Sequence, residues 1–200
     1  CWAYRKSQDP EPKRAQLHEL IALKEISFEN SPIQSLASLE PFLRLEHLSF
    51  HDTPLTDLSP LQYQQELISL DCSRNPIADL SPLQQLTKLK ELNIQNTPVE
   101  DLSLLGTTLN LEILNCSGTQ IKSLKPVSVF LALKKLDCSG TDINNIRYLS
   151  NLASLRHLIC YNTRLTDRKV SAFKLLRKEV EVVFFYYFRL IPNNYFRCVD

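Results

Sequence analysis

The side chains with chemical potential in this chain are six cysteines and four histidines, set among charges that nearly cancel. Cys72, Cys116, Cys138 and Cys160 stand at multiples of 22 residues from one another, and Phe28, Phe50 and Ile94 fill the same periodic position elsewhere. Thiols that alternate with phenylalanine and isoleucine read as small core hydrophobes. On adjacent strands about 4.8 Å apart, they would lie farther apart than the roughly 3.8 Å between Cβ atoms that a disulfide prefers. Reduced, structural cysteines are expected, and free thiols in this number favour a reducing cytoplasm. Cys1 and Cys198 fall at opposite ends of the chain and are not expected to pair. A leading cysteine is also the lipid-carrying residue of a mature lipoprotein, so a surface lipoprotein stays open beside the cytoplasmic reading.

His47 and His51 share a strand face four residues apart, which at about 3.3 Å per residue separates them by roughly 13 Å. His157 belongs five repeats further on, so no three-ligand zinc site is expected. No serine, cysteine or carboxylate pair stands beside a base in a cleft, which argues against an enzyme. Three glycines leave little room for a loop that cradles phosphates, and no cofactor is expected. Lys and Arg total 23 against 22 Asp and Glu, a net charge of +1, so the field that draws nucleic acids or anionic membranes is lacking. The longest apolar stretch, Val182 to Ile191, is broken by Arg189 and is too short to span a bilayer. No methionine occurs, so the chain reads as a piece of something longer.

The elements that position these residues follow from a 22-residue repeat. Its first position falls at Leu23, Leu45, Leu67, Leu89, Leu111, Leu133 and Leu155 without insertion. The fourth position is Ile26, Leu48, Leu70, Leu92, Leu114, Leu136 and Leu158, and the eleventh is Ile33, Leu55, Ile77, Val99, Ile121, Ile143 and Leu165. Alternation such as Leu92-Asn93-Ile94 predicts a short strand with one buried face. Thr53-Pro54, Asn75-Pro76 and Thr97-Pro98 predict a turn. Asp57-Leu58-Ser59-Pro60-Leu61 and its copy at 79–83 predict one turn of 3₁₀ or α helix, with serine as N-cap and proline as first helical residue. A single unit cannot bury its apolar stripe, so the strands must pair in parallel and the leucines must stack behind them.

The TPLTDLSPL and NPIADLSPL segments make the chain resemble the short, 22-residue class of leucine-rich repeats of bacterial internalin-like proteins and of a eukaryotic protein-phosphatase regulatory subunit. The resemblance implies an α/β solenoid: a right-handed coil with a parallel sheet on its concave face and short helical turns on its convex face. It also implies a scaffold that holds a protein partner on the concave side. The ninth position, asparagine in the family, is Ser31, Thr53, Asn75, Thr97, Thr119, Thr141 and Thr163, so a hydroxyl ladder is expected to replace amide contacts to neighbouring backbone. Gln64 and Thr108 at the apolar twentieth position predict looser backs in the second and fourth units.

The expected organisation is an N-terminal cap at 1–22 with a helix over 13–22, seven repeats at 23–166, and a C-terminal cap at 167–200. Val170, Phe173 and Leu176 have helical spacing, and Val180 and Val182 fall 22 after Leu158 and Cys160, predicting an eighth strand. Phe184, Phe185, Tyr186, Tyr187 and Phe188 are expected to shield the last core layer, ahead of a turn at 192–194 and a final segment, Tyr195 to Val199.

Repeat positions 3, 5, 7 and 8 should face solvent on the concave side. The early units then present Glu25, Ser27, Glu29, Asn30, His47, Ser49, His51, Asp52, Asp71, Ser73, Arg74, Glu91, Asn93 and Gln95, an acidic set that favours a basic partner. The later units present Ile113, Asn115, Ser117, Gly118, Lys135, Asp137, Ser139, Gly140, His157, Ile159, Tyr161 and Asn162, which predicts a pocket of small residues around exposed apolar ones. The partner-binding candidates are Asp71, Arg74, Glu91, Asn93, Ile113, Asn115, Lys135, Asp137, His157, Ile159 and Tyr161. A monomeric protein-interaction scaffold is the leading expectation. The substrate-recognition region of a larger enzyme or signalling protein, and a lipid-anchored adhesin, stand beside it.

Overall fold

Each repeat contributes one three-residue strand, and a computed structural model that describes residues 22–39 and 41–184 stacks these strands in chain order. The strands are β1 (Glu25–Ser27), β2 (His47–Ser49), β3 (Ser69–Asp71), β4 (Glu91–Asn93), β5 (Ile113–Asn115), β6 (Lys135–Asp137), β7 (His157–Ile159) and β8 (Glu181–Val183). All pair in parallel in a single eight-stranded sheet. From β1 to β7 the partners are 22 residues apart, so Leu48, Leu70, Leu92, Leu114, Leu136 and Leu158 lie in one buried row. Burying an aliphatic side chain fully is worth roughly 1.5–3 kcal/mol, and the coils repeat that gain at several positions.

The return path on the back of each coil is a short 3₁₀ turn, at Ala37–Leu39, Ser59–Tyr63, Ser81–Gln85, Ser103–Leu105, Lys125–Val129 and Arg147–Leu149. The serines do not cap these turns as expected: Ser59 and Ser81 are already inside them, with proline following. The side chain two residues earlier caps instead. Asp57 and Asp79 accept the backbone N–H of Ser59 and Ser81 at 2.8 Å, Asp101 that of Ser103 at 3.0 Å, and Asn145 that of Arg147 at 2.9 Å. Ser35 and Ser123 play the same part with their hydroxyls, so repeat position 13 is a polar column with a local backbone task.

The hydroxyl ladder differs from expectation. Thr97, Thr119 and Thr141 donate to the carbonyls of Ile94, Cys116 and Cys138 in their own coils at 2.6–2.7 Å, and among the described residues of this ninth position only the Asn75–Thr53 pair bridges coils. Asn75 Nδ2 donates to Phe50 O at 2.8 Å and its Oδ1 accepts the Thr53 N–H at 2.6 Å. Gln64 and Thr108, at the backs expected to be looser, are both fully buried. Thr108 donates to Leu105 O, while Gln64 donates to Leu39 O and leaves Oε1 without a partner among the described residues.

At the C-terminal end, helix α1 (Asp167–Leu176) replaces the loop, burying Val170 and Phe173. Leu176, expected inside, is 66% exposed, and Arg177 is buried in its place. The Arg177 guanidinium donates to the carbonyls of Leu149, Ser150 and Leu152 at 2.9–3.1 Å and pairs with Glu179. The eighth strand forms, but with Leu158 opposite Val182, a step of 24 rather than 22. Two extra residues preserve the period-two alternation, so Val182 continues the inward row, half-buried against the core. The expected N-terminal helix with Leu17 and Leu20, Cys1, Cys198, and the segment 185–199 lie outside the described residues.

The concave sheet face as candidate functional site

Because each strand alternates, position 4 is buried while positions 3 and 5 form two outward rows. In chain order, row 3 reads Glu25, His47, Ser69, Glu91, Ile113, Lys135, His157 and Glu181. Row 5 reads Ser27, Ser49, Asp71, Asn93, Asn115, Asp137, Ile159 and Val183. The row 5 side chains also hold the backbone. Asp71, Asn115 and Asp137 each accept, through Oδ1, both the N–H and the hydroxyl of the serine two residues later. Ser73, Ser117 and Ser139 are therefore buried rather than solvent-facing as expected. Asn93 Nδ2 donates to Asp71 Oδ2 at 2.8 Å, tying β4 to β3 on the exposed side.

Position 8 ends the strand in every coil with a left-handed backbone: Asn30, Asp52, Arg74, Asn96, Gly118, Gly140 and Asn162 all have φ between 50° and 66°. In six of the seven these are the residue types that tolerate this region. Gly118 and Gly140 thus serve the backbone rather than opening a pocket, and a Cβ on Gly118 would meet Asn96 Oδ1 at 2.1 Å. Arg74 is the exception, a long side chain held at φ 56° with its Nη1 donating to Asp52 Oδ2 at 3.1 Å. His51 joins the same chain of charges, with Nδ1 2.9 Å from Asp52 and Nε2 3.2 Å from Glu29. The hydrogen bond to Asp52, and then that to Glu29, raises the His51 pKa above the ordinary histidine value despite partial desolvation. The same hydrogen bond holds the Asp52 carboxyl below the usual carboxylate range.

Two shallow hollows lie on this face. One of about 270 Å³ spans β3–β6 and is lined by Asp71, Glu91, Asn93, Ile113, Asn115, Lys135 and Asp137. The other, of about 470 Å³, spans β1–β3 between Glu25, Glu29, His47 and Asp71. The first brings together all the predicted contact residues of the middle strands. Arg74, His157, Ile159 and Tyr161 do not line this hollow, so the pocket expected in the later units is centred on β3–β6 instead. Tyr161 is 39% exposed and Ile159 half-buried, and His157 is held by Glu181 at 3.0 Å.

A sequence family described as leucine-rich repeats, in two copies, matches residues 65–107. The chain has the leucine-rich-repeat solenoid fold. Among solved structures it is similar to internalin C2 of Listeria monocytogenes, at a TM-score of 0.78 and 23% identity over 84% of this chain and 74% of that one. It is also similar to an internalin F of the same organism, at a TM-score of 0.68 and 23% identity over 85% and 56%. A leucine-rich-repeat protein of Leptospira interrogans superposes at a TM-score of 0.69 and 16% identity over 84% and 50%. This solenoid thus spans from half to three quarters of those chains. No curated protein matches it.

The four described cysteines of the solenoid are free and buried. Desolvation pushes the thiol pKa values of Cys72, Cys116 and Cys138 far above the ordinary range and that of Cys160 to about 12. They are protonated at neutral pH, and a protonated thiol is a poor nucleophile and metal ligand. What sequence reasoning missed on this face is Ser69, which lines both hollows, and the double duty of row 5. The column Asn30, Asp52, Asn96, Gly118, Gly140 and Asn162 was the available signal for the left-handed corner.

Proposed function

We propose that this solenoid is a non-catalytic scaffold that binds a protein partner on its concave strand face. The supporting observation is the placement of charge. On the first four strands and their following turns, Glu25, Glu29, Asp52, Asp71 and Glu91 face Arg74 as the only lysine or arginine, in a chain whose net charge is +1. An uneven field on a sheet whose outward side chains are uncovered steers a basic surface toward the early strands. Ile113, Ile159 and Tyr161 supply apolar contact further along, where anchors beside polar groups carry binding energy.

The reading is tested by capture of proteins from a cell extract on the immobilised chain. Three forms are compared: wild type, a concave variant combining Tyr161→Ala with Ile159→Ser, and a convex control, Lys125→Glu, in the 3₁₀ turn on the back. Proteins retained by wild type and control but lost by the folded concave variant support the reading. Equal retention by all three, or loss only with the control, overturns it.

A further inference from the structure

Charges beside the sheet are neutralised systematically across coils. Lys24 meets Glu46 at 2.7 Å, Lys88 meets Glu66 at 2.5 Å, and Glu112 lies between Lys90 and Lys134 at 3.5 and 2.5 Å. Within row 3, His157 meets Glu181. Lys135 departs from this pattern. It is the only lysine on the concave face among the described residues, its neighbours in the row are Ile113 and His157, and no described carboxylate pairs with it. Two strands away, Glu91 receives only the Ser69 hydroxyl, at 3.3 Å, and meets no cation. Ile113 separates the two charges and is itself half-buried in the floor of the hollow.

We infer that the hollow over β3–β6 is a docking subsite for an extended protein segment bearing a basic and an acidic side chain on either side of an apolar one. The inference rests on the scaffold reading above and names the chemistry of its partner. The basic group meets Glu91, the apolar group covers Ile113, and the acidic group meets Lys135. Glu91 and Lys135 sit two strand spacings, about 9.6 Å, apart. In an extended segment, side chains at i and i+4 share a face and lie about 13 Å apart, with i+2 between them. The flexible stems of lysine and glutamate cover the remaining difference. Asp71 and Asp137 at the ends of the hollow oppose a polyanion, and the mixture of charges does not suit a uniformly basic ligand either. Asn115, whose Oδ1 is taken by Ser117, keeps Nδ2 without an acceptor among the described residues, as a donor for a segment's backbone carbonyl.

The probes are capped seven-residue peptides with the cores Lys-Ser-Leu-Ser-Glu, Lys-Ser-Leu-Ser-Lys, Glu-Ser-Leu-Ser-Glu and Lys-Ser-Ser-Ser-Glu, titrated into the isotope-labelled full chain. The first should bind most tightly, with amide shifts centred on β3–β6. Ile113→Ser should weaken it at least tenfold while the chain keeps the amide spectrum of the folded solenoid. Glu91→Lys should turn the preference toward the doubly acidic peptide, Lys135→Glu toward the doubly basic one, and the double exchange should restore the original order. Equal affinity for all four peptides, shifts outside β3–β6, or no saturation at millimolar peptide overturns the inference. If that occurs while capture from extract still depends on the concave face, the subsite assignment fails and the scaffold reading stands.

Discussion

Replacing Arg177 with alanine should unfasten the C-terminal cap. The guanidinium is buried and donates to three carbonyls, Leu149, Ser150 and Leu152, at the back of the sixth coil. Hydrogen bonds to charged groups are worth about 1.5–3 kcal/mol each, but these three cannot be added. Leu149 O still accepts from Leu152 N and Leu152 O from Leu155 N, so only Ser150 O is stripped of its described partner. Glu179 is half-exposed and can return to water. The balance is a loss of about 2–4 kcal/mol, one fully lost charged bond plus the desolvation of an orphaned carbonyl. For a domain of this size that lowers Tm by about 4–16 °C. Urea unfolding of the wild type, Arg177→Ala and Arg177→Lys gives the free energies, and amide exchange gives the location. Lysine should recover only part of the loss, because one ammonium cannot reach three carbonyls in guanidinium geometry. Early exchange should be confined to β8 and α1, since each coil contacts only its neighbours. An alanine variant within about 0.5 kcal/mol of wild type, the ordinary range of surface substitutions, would refute the reasoning.

Gly140→Ala should cost about 1 kcal/mol in urea unfolding, the price of a left-handed alanine, and Gly118→Ala more, because its Cβ also displaces the Asn96 carboxamide. Arg74→Asn should stabilise slightly by relieving the same strain, the exposed pair with Asp52 being too weak to reverse the sign; equal melting of all three variants would contradict the left-handed requirement. The Ser59 and Ser103 hydrogen bonds depress the Asp57 and Asp101 carboxyls, so their contribution is complete above the unfolded aspartate value of about 3.9 and is lost as pH falls through the lower folded values. Asp57→Asn with Asp101→Asn should therefore flatten the acid limb of the stability profile while leaving its neutral shape unchanged. Under native conditions at pH 8, iodoacetamide should leave Cys72, Cys116 and Cys138 unmodified and reach them only after denaturant is added, as read by peptide mass mapping.

The coil was legible because every unit makes the same local choice: a leucine that slips from position 4 would break a row that runs through seven strands. The outward rows followed from the same alternation. Legibility failed where the alternation stops. Position 7 looks like a continuation of the strand, yet the left-handed residue at position 8 and the side chain at position 5 fold Ser73, Ser117 and Ser139 inward. The glycines at 118 and 140 looked like openings because their backbone role shows only when the column is read with its asparagines and aspartate. The cap register of 24 and the burial of Arg177 depend on how α1 seats on the last coil, a tertiary contact with no periodic partner to reveal it.

Lysine footprinting of the complex with a captured protein tests the central claim most directly, because Lys135 is the one described lysine on the sheet face whereas Lys125 opens the 3₁₀ turn behind it and Lys122 lies in the loop leading to that turn. Protection of Lys135 from acetylation, with Lys122 and Lys125 labelled as in the free chain, is the predicted result. Protection of Lys122 and Lys125 with Lys135 still reactive would contradict it.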